Sequence, residues 1–269
     1  MPDRSRFISL PNAEILEELG LTRWVRRNAP AAPVPARDTL SKLDDVLQSV
    51  ATPVPDAAPV VVPSAVPAVQ PGASVPPAED LSAMDWDALE AALRRRPLRE
   101  GSRQAVFGIG VRTARLLVVG EAPGADEDRS GEPFVGRAGQ LLDRMLAAIG
   151  YARAPQAEQQ GCYIANVCKF RPPNNRDPLP EEVAADLPFL LRQIELVSPD
   201  VILAVGRVAA QNLLDSQESL GKLRQRQHVF AGRPLAVTYH PAYLLRQPAE
   251  KARAWEDLKK VRTLLATAE

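Results

Sequence analysis

The chain has 269 residues, two cysteines and equal numbers of basic and acidic residues, so its formal net charge is zero. No apolar run reaches the roughly 18 residues that a membrane-spanning helix needs, and no signal-peptide pattern opens the chain. We therefore expect a cytoplasmic protein with no membrane partner, and we expect a monomer. The neutral charge excludes a strong overall attraction for polyanions, so nucleic acid could bind only at a local basic face.

The first predicted element is a short helix within residues 1–29. Apolar residues recur there at helical spacing up to Gly20, a natural helix stop, and a basic tail follows. Isolated helices shorter than about 12 to 15 residues are marginal in water, so this helix needs a partner surface. That surface is either the chain's own folded domain or a groove on another protein. The side chains that would make the contact are Ile15, Leu16, Leu19, Leu21 and Trp24.

A proline-rich stretch follows the helix. Residues 30–77 contain eleven of the chain's 26 prolines, set among alanines and valines. This composition cannot bury a core, so it predicts a disordered linker over residues 30–80. The remaining residues, 81–269, are numerous enough to form one domain with a single core.

The first motif of that domain, GEAPGADED, begins at Gly120 directly after a predicted buried strand, and GEPFVGRAG follows it. Open α/β sheets bind ligands at the carboxyl ends of their strands, and a glycine-rich turn fixed by a Pro-Gly pair lets the backbone approach a phosphate or nucleotide closely. Such turns also occur without a ligand. The candidate site residues in this region are Gly120, Glu121, Ala122, Pro123, Gly124, Glu127, Asp128 and Phe134.

Two further polar residues end predicted strands. Asn166 precedes a proline-rich loop, and its amide offers the donor and acceptor needed to read the edge of a flipped base, although it could simply cap the turn. His240 ends a later predicted strand, immediately before Pro241. A structural role is the alternative for this histidine. His228 lies in a charged run and is predicted to be a solvated loop residue. Because strands of one sheet end at a common edge, we expect Asn166, His240 and the acidic glycine turn to converge.

The ordered motifs GEAPGADED, PFVGRAG, NVCKFRPPNNRDP and TYHPAYLLR resemble the uracil-DNA glycosylase superfamily and, within it, the family 4 enzymes. The resemblance covers roughly residues 85 to 265. It implies an α/β fold, a three-layer sandwich with a central, mostly parallel sheet. It also implies hydrolysis of the N-glycosidic bond of deoxyuridine in DNA, and hence association with the nucleoid.

The resemblance assigns a role to each motif residue. Phe134 would stack on the extruded uracil, Asn166 would bind its pairing edge, and His240 would donate to the base oxygen that becomes negative as the bond breaks. Carboxylates would hold the attacking water or favour the positive character of the sugar. The candidates for that role are Glu121 together with Glu127 or Asp128.

Two arginines stand beside the motifs. Arg137 and Arg246 would contact phosphates on either side of the flipped nucleotide, because backbone contacts position DNA whatever its sequence. The alternative is that each is a surface charge near a helix end.

Family 4 members carry four cysteines that bind an iron–sulfur cluster, and in this chain the corresponding positions hold Leu93, Arg96, Phe170 and Asp186. The remaining thiols, Cys162 and Cys168, are six residues apart on one predicted strand, so they are expected to share a face of it but to lie too far apart for one metal. Two thiols also fall short of the four that a cluster requires. We therefore expect neither a metal nor another cofactor. Apolar packing or ion pairs, with Asp186 and the 94–96 arginine run as candidates, would replace the cluster.

The N-terminal peptide carries a second resemblance. Its sequence ELGLTRW, residues 18–24, resembles the N-terminal peptide of the bacterial DNA polymerase III psi subunit, which docks on the clamp-loader collar while folded psi binds chi. Two functions follow. One is a uracil-DNA glycosylase that this peptide joins to the clamp loader, and the other is a psi-like adaptor that links the clamp loader to chi without chemistry. The pocket residues favour the enzyme, whereas the missing cluster and the neutral charge favour the adaptor.

Overall fold

The computed structural model describes residues 80–268, within which eight α-helices and seven β-strands are present. The strands are β1 (Ile109–Gly110), β2 (Leu116–Gly120), β3 (Tyr151–Ala152), β4 (Gln160–Asn166), β5 (Val201–Val205), β6 (His228–Phe230) and β7 (Arg233–Thr238). The helices are α1 (Trp86–Arg95), α2 (Ala125–Ser130), α3 (Arg137–Ala147), α4 (Pro180–Val197), α5 (Arg207–Leu214), α6 (Leu220–Leu223), α7 (Pro241–Arg246) and α8 (Lys251–Thr267). Of these helices, none combines the length and apolarity of a membrane span.

The strands form one sheet in the order β1-β4-β2-β5-β7-β6, with β3 paired to β4. The four central strands run parallel, whereas β1 and β6 are antiparallel at the edges. Strands β2 and β5 are buried along their whole length because helices cover both faces of the sheet. This confirms the predicted mostly parallel sheet.

Alternate residues of β2 enter separate cores on the two faces of the sheet. Leu116 and Val118 pack with residues of α3, α7 and α8. Leu117 and Val119 pack on the other face with residues of α4 and α5. The result is the predicted three-layer sandwich. A third cluster joins α1 to α4 through Leu93, Phe170 and neighbouring apolar side chains.

The sheet register brings the carboxyl ends of three motif-bearing strands to one edge. Gly120 at the end of β2 pairs with Asn166 at the end of β4, and Val205 at the end of β5 pairs with Thr238 of β7. Glu121 directly follows Gly120. The predicted convergence of the motifs therefore has its origin in parallel strand pairing.

Two sequence-based expectations are wrong. His228 begins β6, is half-buried, and its Nε2 lies 2.8 Å from the carbonyl oxygen of Leu223, so it is not a solvated loop residue. Cys168 lies beyond the end of β4, and it packs on the opposite face of the sheet from Cys162. Strand pattern alone did not show where β4 ends, because the following residues are equally buried.

The N-terminal predictions lie outside the described residues. They comprise the short helix, the linker over residues 30–80, and the contact residues Ile15, Leu16, Leu19, Leu21 and Trp24. All of them stay predictions, as does the division of the chain into three segments.

Candidate active site

The absence of a side chain at Gly120 leaves space for Asn166 and Phe134 at the centre of the site. A Cβ added to Gly120 would overlap Asn166 Oδ1 and would lie 2.6 Å from Cζ of Phe134. Only a residue without a side chain therefore lets the amide and the ring converge above the end of β2. Ala122, Pro123 and Gly124 continue from this position into α2.

The side-chain amide of Asn166 is buried and makes no hydrogen bond to the described part of the chain. The residue is 2% exposed, and within residues 80–268 neither Oδ1 nor Nδ2 has a hydrogen-bond partner. An unsatisfied buried polar group costs about 1–3 kcal/mol, so native proteins rarely retain one without a use. The turn-capping alternative would require a bond from this amide to nearby backbone, and the described residues show none. The amide is thus free to bind a ligand.

Phe134 is held in an unusual backbone conformation. Its φ is 56°, in the left-handed region, and its side chain is almost fully buried. The guanidinium of Arg153 donates to the Phe134 carbonyl at 3.0 Å. A Cβ on Gly139 would overlap the same carbonyl. These contacts fix the ring beside the imidazole of His240, at a centroid distance of 5.7 Å and an interplanar angle of 30°.

The carboxylates of Glu127 and Asp128 accept hydrogen bonds from backbone N–H groups. The Glu127 carboxylate accepts from the N–H of Gly124 at 2.5 Å and of Phe134 at 2.6 Å, and burial raises its pKa. Buried Asp128 accepts through Oδ1 from Ser102 Oγ and from backbone N–H, whereas its Oδ2 has no partner among the described residues. Both carboxylates therefore stabilise the loops whose N–H groups they bind. The roles predicted for them toward the attacking water stay predictions.

His240 is positioned as a neutral donor. Its Nδ1 accepts from the N–H of Ala242 at 3.2 Å, so the ring carries its proton on Nε2. Burial, together with the positive charge of Arg246, lowers the pKa of His240 to about 4. Gly206, at φ 99°, leaves space for the imidazole, since a Cβ there would lie 3.0 Å from that of His240. The ring is thus neutral at physiological pH, with Nε2–H as its donor.

Of the residues described above, His240 and Gly206 line a cleft of about 440 Å³. Glu121 lies at the edge of this cleft. Burial and the negative charge of Asp177, partly offset by the positive charge of Arg207, raise the pKa of Glu121 to about 7. Arg246 lines the cleft, whereas Arg137 is exposed at the start of α3 and is not among its lining residues; the phosphate contacts expected of both stay predictions. The other lining residues are Arg207, Val208, Leu220, Tyr239 and Tyr243.

Sequence reasoning missed three residues of this region. Arg207 and Tyr243 line the cleft, and Asp177 pairs with Arg207. A signal was available for the first two, since Arg207 lies two residues beyond the end of β5 and Tyr243 lies within the TYHPAYLLR motif. Asp177 lies within the NVCKFRPPNNRDP motif, but its pairing with Arg207 had no sequence signal, because only the fold brings its loop to α5.

Comparison with known proteins agrees with this geometry. The family model described as the uracil DNA glycosylase superfamily matches residues 107–259, more than half of the chain. The chain belongs to this superfamily. It is 42% identical over 173 residues to the Type-4 uracil-DNA glycosylase of Thermotoga maritima, covering 63% of this chain and 87% of that protein.

Two other relatives show how far this similarity extends. The Type-4 uracil-DNA glycosylase of Archaeoglobus fulgidus is 42% identical over 176 residues, which is 62% of this chain and 85% of that protein. The Type-5 uracil-DNA glycosylase of Pyrobaculum aerophilum is 32% identical over 165 residues, 55% of this chain and 73% of that protein. The glycosylase described here is therefore family 4-like, as its motifs predicted.

The residues at the four cluster positions do not fit an iron–sulfur cluster. Buried Asp186 accepts from Arg96 Nη1 at 2.7 Å and lies 2.8 Å from Arg99 Nη2, and its other oxygen accepts from the backbone N–H of Lys169. Both guanidinium groups lie over the ring of Phe170, at 5.8 and 5.3 Å. Residues 80–268 hold no group of three or more potential metal ligands. Side chains without thiolates cannot replace the cysteines that such clusters require.

This ion-pair cluster is defined by Arg96, Arg99, Phe170 and Asp186. The predicted pairing of Asp186 with the arginine run is confirmed for Arg96, whereas Arg94 binds Glu90 on its own helix. Burial raises the pKa of both cysteine thiols to about 12, so they are not poised as thiolate ligands.

We predict that Asp186→Ala lowers the free energy of unfolding by about 2–4 kcal/mol, because it removes the carboxylate that two guanidinium groups and a backbone N–H share. Urea unfolding measures this change. Glu90→Ala is the matched control, since it breaks a more exposed i,i+4 pair with Arg94 that is worth about 0.5 kcal/mol or less. Equal losses for the two variants would show that the ion-pair cluster does not hold this part of the fold.

Proposed function

We propose that this glycosylase hydrolyses the N-glycosidic bond of deoxyuridine in DNA. The observation that carries the proposal is the buried amide of Asn166, which has no hydrogen-bond partner within residues 80–268 and lies near the Phe134 ring and the neutral His240 donor. Type-4 relatives named as uracil-DNA glycosylases support the same substrate. A psi-like adaptor would have no use for such a site.

Base binding follows from the side chains at the strand ends. A uracil turned out of the stack would lie against the ring of Phe134, and its pairing edge would meet the Asn166 amide. That edge presents both a donor and an acceptor, so it would satisfy both amide groups at once. Binding therefore recovers the free energy that the unsatisfied amide costs the free protein.

Bond cleavage needs stabilisation of the leaving base. When the bond between the sugar C1′ and the uracil nitrogen breaks, its electron pair stays with the base and spreads onto the neighbouring oxygen. His240 Nε2–H would donate to that oxygen. A fixed neutral donor in a buried site stabilises this charge without reorganisation, and the low pKa of His240 keeps it neutral throughout.

Glu121 is the acid of the three candidates that lines the cleft with His240. Its ionised carboxylate would stabilise the positive character of the sugar, and it would accept the proton of the water whose oxygen adds to C1′. Glu127 and Asp128 would contribute indirectly by holding the turn and Phe134. Arg246, at the cleft, would contact a phosphate of the bound strand.

We predict that the wild type releases uracil from DNA and that Asn166→Ala and His240→Ala each slow release at least about 100-fold, the scale of losing one transition-state donor. Single-turnover release from labelled single- and double-stranded oligonucleotides measures this. Glu90→Gln, on α1, is the control and should match the wild type. A wild type that is inert on every uracil substrate would favour the psi-like adaptor instead.

The pH dependence of kcat/KM tests the role of Glu121. Its ionised form is lost as pH falls through about 7, so kcat/KM should fall about tenfold for each further pH unit and should level off above that pKa. His240 does not titrate in this range. Glu121→Gln should be slow and should lack this dependence. A profile that Glu121→Gln leaves unchanged would assign the titration to another group.

We further propose that the N-terminal peptide joins this enzyme to the clamp-loader collar, which would place it in the cytoplasm at the nucleoid. Support comes from the ELGLTRW sequence and from the apolar residues at helical spacing before it. Chi would be a second partner if the folded domain also replaces folded psi. The peptide's alternative partner is its own domain.

We predict that a synthetic peptide of residues 12–27 binds the isolated collar and that Trp24→Ala weakens binding roughly 30-fold or more, because a desolvated aromatic anchor carries about 2 kcal/mol. Fluorescence anisotropy measures the affinity. Uracil release by the intact protein should be unaffected by the same substitution. Equal affinities of the two peptides would exclude collar docking through Trp24, and lost uracil release would indicate packing on the enzyme's own domain.

A further inference from the structure

Arg207, a lining residue of the cleft, forms an exposed ion pair with Asp177. Arg207, the first residue of α5, pairs through Nη2 with Asp177 Oδ2 at 2.5 Å, and its Nη1 donates to Gln211 at 3.1 Å. Asp177 belongs to the loop between β4 and α4, downstream of Asn166. Arg207 directly follows Gly206, the residue that makes room for His240.

The pair is weak enough to exchange partners. The two side chains are 52% and 65% exposed, and exposed ion pairs contribute about 0–1 kcal/mol. The Arg224–Asp257 pair differs, because it is almost fully buried at 9% and 2% exposure and could not exchange its partner for a ligand. A phosphate group offers a guanidinium the same bidentate geometry as a carboxylate. Arg207 can therefore leave Asp177 for a phosphate at small cost.

The position of Arg207 fits a strand that enters the cleft. Arg207 and Arg246 both line the cleft that contains Glu121 and His240. A nucleotide turned into that cleft carries one phosphate on each side, and a chain with zero net charge must bind them through local cations. In the described part of the chain, these two arginines are the positively charged residues that line the cleft.

We infer that Arg207 binds a DNA phosphate beside the flipped nucleotide and that Asp177 occupies Arg207 in the free protein, competing with DNA. The inference rests on the proposed function in that it takes DNA as the ligand. Asp177 then acts as a brake on DNA binding, because the phosphate must displace it and because its own negative charge remains near the bound strand.

Binding to DNA that lacks uracil tests this inference without any chemistry. The probe is a fluorescein-labelled single-stranded oligonucleotide with one tetrahydrofuran abasic site, titrated with the full-length protein at several salt concentrations. Arg207→Gln should weaken binding about fivefold at about 0.1 M salt and lower the slope of log affinity against log salt by about 0.7, the loss of one phosphate contact. Asp177→Asn should tighten binding by about twofold or more at the lower salt concentrations. Arg94→Gln and Glu90→Gln, which break an ion pair on α1, should each change affinity less than the cleft variants do.

Each outcome decides one part of the inference. An Arg207→Gln affinity and salt slope equal to those of Arg94→Gln would overturn the phosphate contact. An Asp177→Asn affinity equal to or weaker than that of the wild type would overturn the competition. Uracil release measured separately keeps the proposed function apart, since a protein that binds abasic DNA as expected but releases no uracil would lose the function and keep the contact.

Discussion

The parallel pairing of β2 with β4 places Gly120 beside Asn166, and the rest of the site depends on this register. Because position 120 has no side chain, the Asn166 amide and the Phe134 ring occupy the space above the strand end. Pairing of β5 with β7 brings His240 to the same edge. The position of the site residues thus follows from the sheet topology together with the absence of a side chain at Gly120.

The proposed mechanism rests on a neutral donor, His240, and on Glu121, a carboxylate whose pKa is raised to about 7. His240 stays neutral because it is buried, and Glu121 sits near half-ionisation at neutral pH because burial opposes its charge. Buried Lys169 stabilises the segment that carries Asn166, because its ammonium group donates to the Asn166 carbonyl and to Gln193. The ion-pair cluster holds the same segment through the backbone N–H of Lys169. A salt-bridged, aromatic-backed cluster therefore occupies the place where the resemblance implies an iron–sulfur cluster.

Much of this arrangement could be predicted from the sequence, because its signals are local. Apolar runs marked the central strands, and polar residues at their ends marked Asn166 and His240. Side-chain partners were not predictable, so Glu127 and Asp128 could not be distinguished from Glu121 until their bonds to distant backbone were visible. Asp177 escaped notice for the same reason, since its importance arises from a tertiary contact with Arg207.

The unsatisfied amide of Asn166 offers the most direct measurement of the central claim, that this position is kept for a ligand at the expense of stability. Asn166→Leu keeps the side-chain shape and removes the buried polar atoms, so it should raise the free energy of unfolding by about 1 kcal/mol or more while abolishing uracil release. Urea unfolding and single-turnover uracil release, measured on the same preparations, test both parts together. A variant that is less stable than the wild type and still releases uracil at the wild-type rate would contradict the claim.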